Sequence, residues 1–376
     1  MSLLLLSRLK YVRCVSNQLV KWRVLLLLSL ISLTFILITV FSLPTWFSLS
    51  PHRAKTKILF MNEELCTPST PYDRNQRTAV IVIPSARKHF NRRSVIRQTY
   101  GSVKKANNVK ILAVIFILAK SDGRQEDDEA DDRQLLAEAD WFGDVIIGDF
   151  VDSYRNLTLK TIMAYDWLTT YCRKAQFVIK TDDDTVVNIF ELTEHLSSLS
   201  PVDVSSSNIW CCVDRNESTV SDVTSKFYAS STDFPSGKFP DHCSGIGYVT
   251  TFVVIERFVE DISKSFPGRV CTHEDVFMTA VVPMHINADW KYFWRKPEPI
   301  QLVHQKYSIS CVFEDGRDDV DHFLRDFVRN TTMDAESRNF IKFRERYPKR
   351  FFFLIAHTEE LEEIHLRLWE IIKKSY

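Results

Sequence analysis

Residues 177–188 read FVIKTDDDTVVN, with Asp182, Asp183 and Asp184 side by side between apolar runs. Three carboxylates that repel one another thus stand where burial is expected. A hard divalent cation such as Mg2+ or Mn2+ removes the conflict, because it takes carboxylate oxygens and shares its shell with phosphate oxygens and water. Asp182 and Asp184 are two positions apart, so in extended backbone they project to one side and can reach one site. Asp183 is expected to point the other way, toward backbone amides or ribose hydroxyls. A solvated acidic turn is the plainer alternative, and the apolar residues on both flanks argue against it. Two further features join the aspartates: the Glu274-Asp275 pair in HEDVF, and His304 in LVHQ, although a histidine beside apolar residues is commonly a satisfied structural group. Together they supply a metal-binding carboxylate pair, an isolated carboxylate for proton abstraction and an imidazole. That set suits metal-dependent transfer from a nucleotide diphosphate.

The elements around these residues alternate. AVIVI at 79–83 ends at Pro84, VKILAVIFILA spans 109–119, DVIIGDF spans 144–150, and FVIK precedes the aspartates. Short continuous runs rich in Val and Ile read as strands buried on both faces. Between them, Leu159, Ile162, Met163, Trp167 and Tyr171 share one helical face, and RSVIRQTY at 93–100 is a shorter helix candidate. The alternation predicts an α/β domain with a mostly parallel twisted sheet flanked by helices, whose ligands bind beyond the carboxyl ends of the strands. The aspartates fall at such an end. The acidic run DGRQEDDEADD reads as a solvated surface loop. Two amphipathic helices are expected near the C-terminus. One runs through Val320, Phe323, Leu324, Phe327 and Val328; the other starts near Thr358 and runs through Leu361, Ile364, Leu368 and Ile371 as a packing helix.

Lys and Arg number 48 and Asp and Glu 48 in 376 residues, for a formal net charge of +0. No basic stripe with interleaved aromatics is present, which sets nucleic acid aside as a partner. Val24–Val40, VLLLLSLISLTFILITV, is uncharged, and the apolar stretch it heads is about the ~20 residues that a helix needs to cross a bilayer. A cleaved signal peptide competes, but its apolar core is normally ~7–15 residues, and Phe41-Ser42-Leu43 is a poor cleavage site. Basic residues before the run place the N-terminus in the cytosol. The expected order is therefore a cytosolic tail at 1–23, a transmembrane signal anchor at 24–43, a proline-bearing stem at 44–75 and a lumenal domain at 76–376. Cys66, Cys172, Cys211, Cys212, Cys243, Cys271 and Cys311 lie on the lumenal side, where disulfides are expected and an odd count leaves one over. Asn156, Asn216 and Asn330 head N-x-S/T sequons on that side.

The ordered motifs resemble glycosyltransferase family 31, the β-1,3-galactosyltransferase and β-1,3-N-acetylglucosaminyltransferase group related to Fringe enzymes. The family's R-x-A-I-R-x-T-W corresponds to RSVIRQTY, Arg93–Tyr100. D-F-x-D-S-Y-x-N-L-T-L-K-T corresponds to DFVDSYRNLTLKT, Asp149–Thr161, and F-V-x-K-x-D-D-D-x-x-x-N to Phe177–Asn188. Y-P-x-Y-C-S-G-x-G-Y-V corresponds to FPDHCSGIGYV, Phe239–Val249, and E-D-V-Y to Glu274–Phe277. The resemblance implies a GT-A fold and inverting transfer of a hexose (galactose or an N-acetylhexosamine) from a UDP-sugar. The acceptor would be a glycan on a glycoprotein or glycolipid, and the setting a type II Golgi membrane protein using Mn2+ or a similar ion.

The resemblance also implies roles. Asp184 would be the main metal contact, with Asp182 and Asp183 near the ribose and diphosphate. His304, or alternatively His285, would complete the metal or diphosphate shell. Asp275 would be the base and Glu274 would orient it. Arg93 and Arg97 would lie near the nucleotide, Asn156 and Lys160 would hold the loop under the donor, and Gly245, Gly247 and Tyr248 would line the acceptor side. Tyr100 departs from the family's Trp, and Thr279 and Val281 stand where Gly and Cys are usual. A catalytically silent carbohydrate-binding or partner protein on the same fold is the competing class. It would normally lose the aspartates or the Glu-Asp pair, and this chain retains both.

Overall fold

Valine and isoleucine runs build the centre of the molecule. The computed structural model describes residues 57–67, 76–123, 128–266, 270–295, 353–355, 361–374 and 376, all within the unit Leu49–Tyr376. Among them no helix is long and apolar enough to cross a membrane. The tail, the anchor at 24–43, most of the stem, the helix expected through Val320–Val328, His304, Cys311 and Asn330 lie outside the described residues.

The strands are β1 (Ile58–Phe60), β2 (Arg77–Pro84), β3 (Lys105–Ala106), β4 (Val109–Lys120), β5 (Val145–Val151), β6 (Phe177–Thr181), β7 (Thr185–Val187), β8 (Asn208–Asp214), β9 (His242–Thr251), β10 (Asp289–Arg295) and β11 (Phe353–Ile355). The main sheet runs β1-β5-β4-β2-β6-β9-β8-β10, with β3 on β4. β2 lies parallel to β4 and β6, and β4 parallel to β5, as the buried Val/Ile runs predict. Ala79 to Ile83 are fully buried.

The other half of the sheet corrects the mostly parallel expectation. β9 runs antiparallel to both β6 and β8, and β1 antiparallel to β5, so the sheet is mixed. The reason is the connection. Parallel neighbours need a crossover, usually a helix; residues 215–241 between β8 and β9 contain no helix, and the chain returns antiparallel.

The helices are α1 (Phe90–Gln98), α2 (Asp128–Phe142), α3 (Leu157–Tyr171), α4 (Ile189–Ser198), α5 (Pro201–Ser205), α6 (Phe252–Ser265), α7 (Glu274–Val276), α8 (Val282–Ile286) and α9 (Leu361–Lys374). α2 corrects a second expectation, since the end of the acidic run is helical rather than loop. Carboxylates are favoured in a first helical turn, and Leu135, Glu138 and Ala139 give α2 a buried face. α3 is buried well beyond its apolar stripe, with Lys160, Thr161 and Tyr165 also enclosed. α9 forms where the sequence places a packing helix. Its buried face carries Leu361, His365, Leu368, Trp369 and Ile372, and Trp369 stacks on Phe190 of α4 with ring centroids 5.8 Å apart.

Disulfides join Cys66 to Cys172 and Cys211 to Cys243. The second cross-links β8 to β9. Cys212 is disulfide-bonded as well, and the free cysteine among the described residues is the buried Cys271.

Candidate active site

The aspartates occupy the turn between β6 and β7, at the carboxyl end of β6. Two backbone hydrogen bonds shape that turn: Asp182 N donates to Ile246 O at 3.2 Å, and Thr185 N donates to Asp182 O at 3.3 Å. β2 is the parallel neighbour of β6, so the segment following Pro84 meets the aspartates. Ser85 Oγ donates to Asp183 Oδ2 at 2.7 Å, His89 Nδ1 lies 2.7 Å from the same oxygen, and Arg92 Nη1 donates to Oδ1 at 2.9 Å. Burial alone would raise the Asp183 pKa; His89, Ser85 and Arg92 overcome it and hold the group at about 2. Asp183 points toward side chains rather than backbone amides, and Arg92 reaches both it and Asp184.

Asp184 is the opposite case. Its Oδ1 is buried with no hydrogen-bond partner, and Arg92 approaches only to 3.7 Å from Oδ2. Burial, then the charges of Asp182 and Asp183, push its pKa up to about 6. A buried carboxylate oxygen without a donor, beside two more carboxylates, is the donor set that a hard cation fits.

Asp182 connects this cluster to the second acidic motif. Lys180, fully buried on β6, donates from Nζ to Asp182 Oδ1 at 2.8 Å and to Gly245 O at 2.8 Å, and pairs with Glu274 Oε2 at 3.1 Å. Tyr248 OH donates to Glu274 Oε1 at 3.1 Å, and Tyr165 OH lies 2.9 Å from Tyr248 OH. Glu274 is thus fixed from both oxygens. Burial raises its pKa despite Lys180. Burial likewise raises that of Asp182 despite Lys180, and the nearby charges of Asp183 and Asp275 add to the rise.

Asp275, next in the chain, keeps 34% of its side chain exposed. Its Oδ1 accepts from Val276 N at 2.9 Å. Gly245 lies beside it, and a Cβ there would make an ordinary contact with Oδ2 at 3.4 Å. Gly247 pairs with Thr181 across the β6–β9 register. The glycine-rich strand therefore brings the two acidic motifs together.

The other expected residues have partners of their own. Arg93 is buried and donates from Nε and Nη2 to Glu138 at 2.8 and 2.6 Å. Arg97 grips Asp144 with two hydrogen bonds of 2.7 Å. Both arginines anchor α1 to α2 and to Asp144 just before β5, because buried guanidinium groups demand carboxylate partners, and Arg93 Nη1 also donates at 3.2 Å to Ser85 Oγ, which itself bonds Asp183. Lys160 Nζ donates to Ser85 O at 2.7 Å and to Asp152 Oδ1 at 2.8 Å, bracing the segment that carries Ser85 and His89. Asn156 Nδ2 donates to Val151 O at 2.8 Å. His285 pairs with Asp261 at 3.7 Å and packs against Phe266.

Sequence reasoning missed Ser85, His89, Arg92 and Lys180. The signal for the first three was their position just past the end of a strand paired with β6. It also missed His365, whose pKa burial lowers to about 4 despite its hydrogen bond with the Thr185 backbone.

The fold and site define an α/β protein with an acidic cation-type cluster at its strand ends, joined through a buried lysine to a second acidic pair. Residues 91–289, more than half of the chain, match the Galactosyltransferase family, and the chain belongs to it. It is 32% identical over 230 residues to mouse beta-1,3-galactosyltransferase 1, covering 61% of this chain and 65% of that protein. It is also 32% identical over 233 residues to human beta-1,3-galactosyltransferase 5, covering 62% and 71%. The match thus spans slightly less than two thirds of the first of these relatives. A solved structure of 4-diphosphocytidyl-2C-methyl-D-erythritol synthase from Anaerococcus prevotii matches with a TM-score of 0.33 and 12% identity, over 68% of this chain and 97% of that one, a likeness too distant to carry an argument.

Proposed function

We propose that the chain is an inverting β-1,3-glycosyltransferase with a GT-A-type domain. It would move a hexosyl group, galactose or an N-acetylhexosamine, from a UDP-sugar to a hydroxyl of a glycan on a glycoprotein or glycolipid. Its setting would be the Golgi lumen, with the 24–43 segment as a type II anchor. Family membership supports the class of reaction, and the names of the relatives support the β-1,3 linkage. The observation that carries the reading is Lys180, which holds Asp182 and Glu274 on one ammonium. That shared ammonium ties the two acidic motifs together, which supports a donor-side cluster working beside an acceptor-side carboxylate.

Asp184 and Asp182 are the residues that would hold Mn2+ or a similar ion, with His304 as a further candidate. When bound, the ion offsets the charge that develops on the departing diphosphate. Asp275 takes the proton from the acceptor hydroxyl as that oxygen bonds to the anomeric carbon. The bond from that carbon to the diphosphate oxygen breaks, and its electron pair leaves with UDP. Attack opposite the leaving group inverts the centre. Glu274, pinned by Lys180 and Tyr248, fixes the backbone from which Asp275 projects.

The test is a screen of the full-length chain in detergent against a panel of UDP-sugars and glycan acceptors, with linkage and anomer read by NMR. A β-1,3 product of inverted configuration is expected. A folded chain that binds glycan yet turns over no UDP-sugar would replace this reading with a silent binding protein.

A further inference from the structure

Thr279 stands where the family carries glycine, and its side chain makes two hydrogen bonds that a glycine cannot. It is fully buried, in the π-helical turn Phe277–Val281 that follows the acidic pair. Turns of this kind recur at functional sites. The hydroxyl donates to Asp275 O and accepts from Cys243 N at 2.8 Å. The first bond alone would be ordinary, since a threonine in a helix commonly returns its hydroxyl to the carbonyl four residues earlier. The second is not local, because Cys243 lies on β9.

That strand is itself secured. The Cys211–Cys243 disulfide ties it to β8, and its pairing with β6 reaches Gly247. Between those two points lies Gly245, beside the Asp275 carboxylate. The main chain of Thr279 is secured too, because Trp290 Nε1 on β10 donates to its carbonyl at 2.9 Å. One oxygen atom therefore sets the separation between the backbone of Asp275 and the stretch of β9 beside its side chain. The carboxylate itself is held loosely: Oδ1 accepts from the adjoining Val276 N at 2.9 Å, and His242 Nε2 stands 4.0 Å from Oδ2. Its position thus depends on how its backbone is fixed.

We propose that Thr279 is a positioning residue: its hydroxyl, bridging Cys243 N and Asp275 O, fixes where the Asp275 carboxylate sits beside β9 and so aligns it with the acceptor hydroxyl. Glu274 anchors the same segment to Lys180 and Tyr248, and Thr279 supplies a second anchor, to Cys243. Alignment is worth a great deal here, because a misplacement of about 1 Å can cost about 10²-fold in rate. Thr279→Val keeps the β-branched shape and deletes the oxygen, which leaves a buried amide without its acceptor and frees Asp275 from β9. The role in proton abstraction rests on the proposed function; the bridge itself does not.

The experiment uses the full-length chain in detergent. Transfer is measured beside UDP affinity by calorimetry, and amide hydrogen exchange is followed by mass spectrometry over residues 241–247 and 272–278. Thr279→Val should lower kcat about 10- to 100-fold, leave the KM for the donor and the UDP affinity at wild-type values, and speed exchange in both segments. Thr279→Ser, which keeps the oxygen, should recover most of both losses. In an Asp275→Asn background Thr279→Val should cost the residual transfer nothing further, since a residue that acts through Asp275 has nothing left to place. Should Thr279→Val fail to fold, Thr279→Gly, the residue of the family motif, deletes the same oxygen and must give the same split. Equal losses in both backgrounds would overturn the proposal. So would a drop in UDP affinity that matches the drop in kcat, or exchange that the loss of the hydroxyl leaves unchanged. A wild type without transfer would sink the proposed function, and the exchange measurement would still decide the bridge.

Discussion

Lys180→Met removes the ammonium that bridges Asp182 and Glu274. The structure divides the cost unequally. Asp182 has 32% of its side chain exposed, so water recovers part of its loss, whereas Glu274 has 1% and would be left charged and buried with only Tyr248 as donor. Breaking a buried pair from one side costs about 3–5 kcal/mol. For a large domain at roughly 2–4 °C per kcal/mol, the melting temperature should fall by about 6–20 °C. The pH dependence has a definite sign. Burial already raises the Glu274 pKa, and losing Lys180 raises it further. A carboxyl whose folded-state pKa lies above its unfolded value costs stability increasingly as pH rises through the folded value, so the defect should shrink at pH 5 and widen at pH 8. Lys180→Met with Glu274→Gln removes both charges, and the double variant should recover at least ~2 kcal/mol relative to the sum of the singles. The assay is urea unfolding of all four chains at both pH values. A Lys180→Met cost below about 1 kcal/mol, or strict additivity in the cycle, would refute the claim that this ammonium holds the two acidic motifs together.

Asp275→Asn should retain UDP affinity by calorimetry and lose roughly 10²–10⁴-fold in turnover, the worth of general-base catalysis; equal loss of both would move Asp275 to the donor side. Asp184 must shed its proton before an ion binds, so Mn2+ affinity should rise about tenfold per pH unit below its pKa of about 6 and level off above it. The same raised pKa costs the metal-free fold up to about 3 kcal/mol, building up as pH rises from about 4 to about 6 and levelling off above, and Asp184→Asn should flatten both profiles in calorimetry and in urea melts with EDTA. Asn156 should remain unmodified, because Thr158 of its sequon is buried with its hydroxyl donating to Cys271 O at 2.7 Å. Asn216, on an exposed turn at φ 55°, should carry glycan when the chain is secreted; glycopeptide mass spectrometry distinguishes the two sites.

Local patterns determined much of this protein. The Val/Ile runs specify β2, β4, β5 and β6 because strands buried on both faces need uninterrupted apolar residues. The 3.6-residue period specifies α3 and α9, and a triple aspartate at a strand end marks the cluster, since such charge is tolerated only where something offsets it. Partner choice was not legible. Arg93 and Arg97 read as residues near the nucleotide; tertiary packing pairs them with Glu138 and Asp144 and leaves Arg93 one hydrogen bond behind Ser85, while Arg92, one residue away, reaches the aspartates directly. Which neighbour on a helix faces the site depends on how α1 rotates against the sheet. Lys180 read as an ordinary strand residue, because the antiparallel insertion of β9 that brings Gly245 and Glu274 to it depends on a connection far along the chain. Periodicity and composition are properties of neighbours in sequence, whereas a site is assembled across strands whose order only the folded sheet decides.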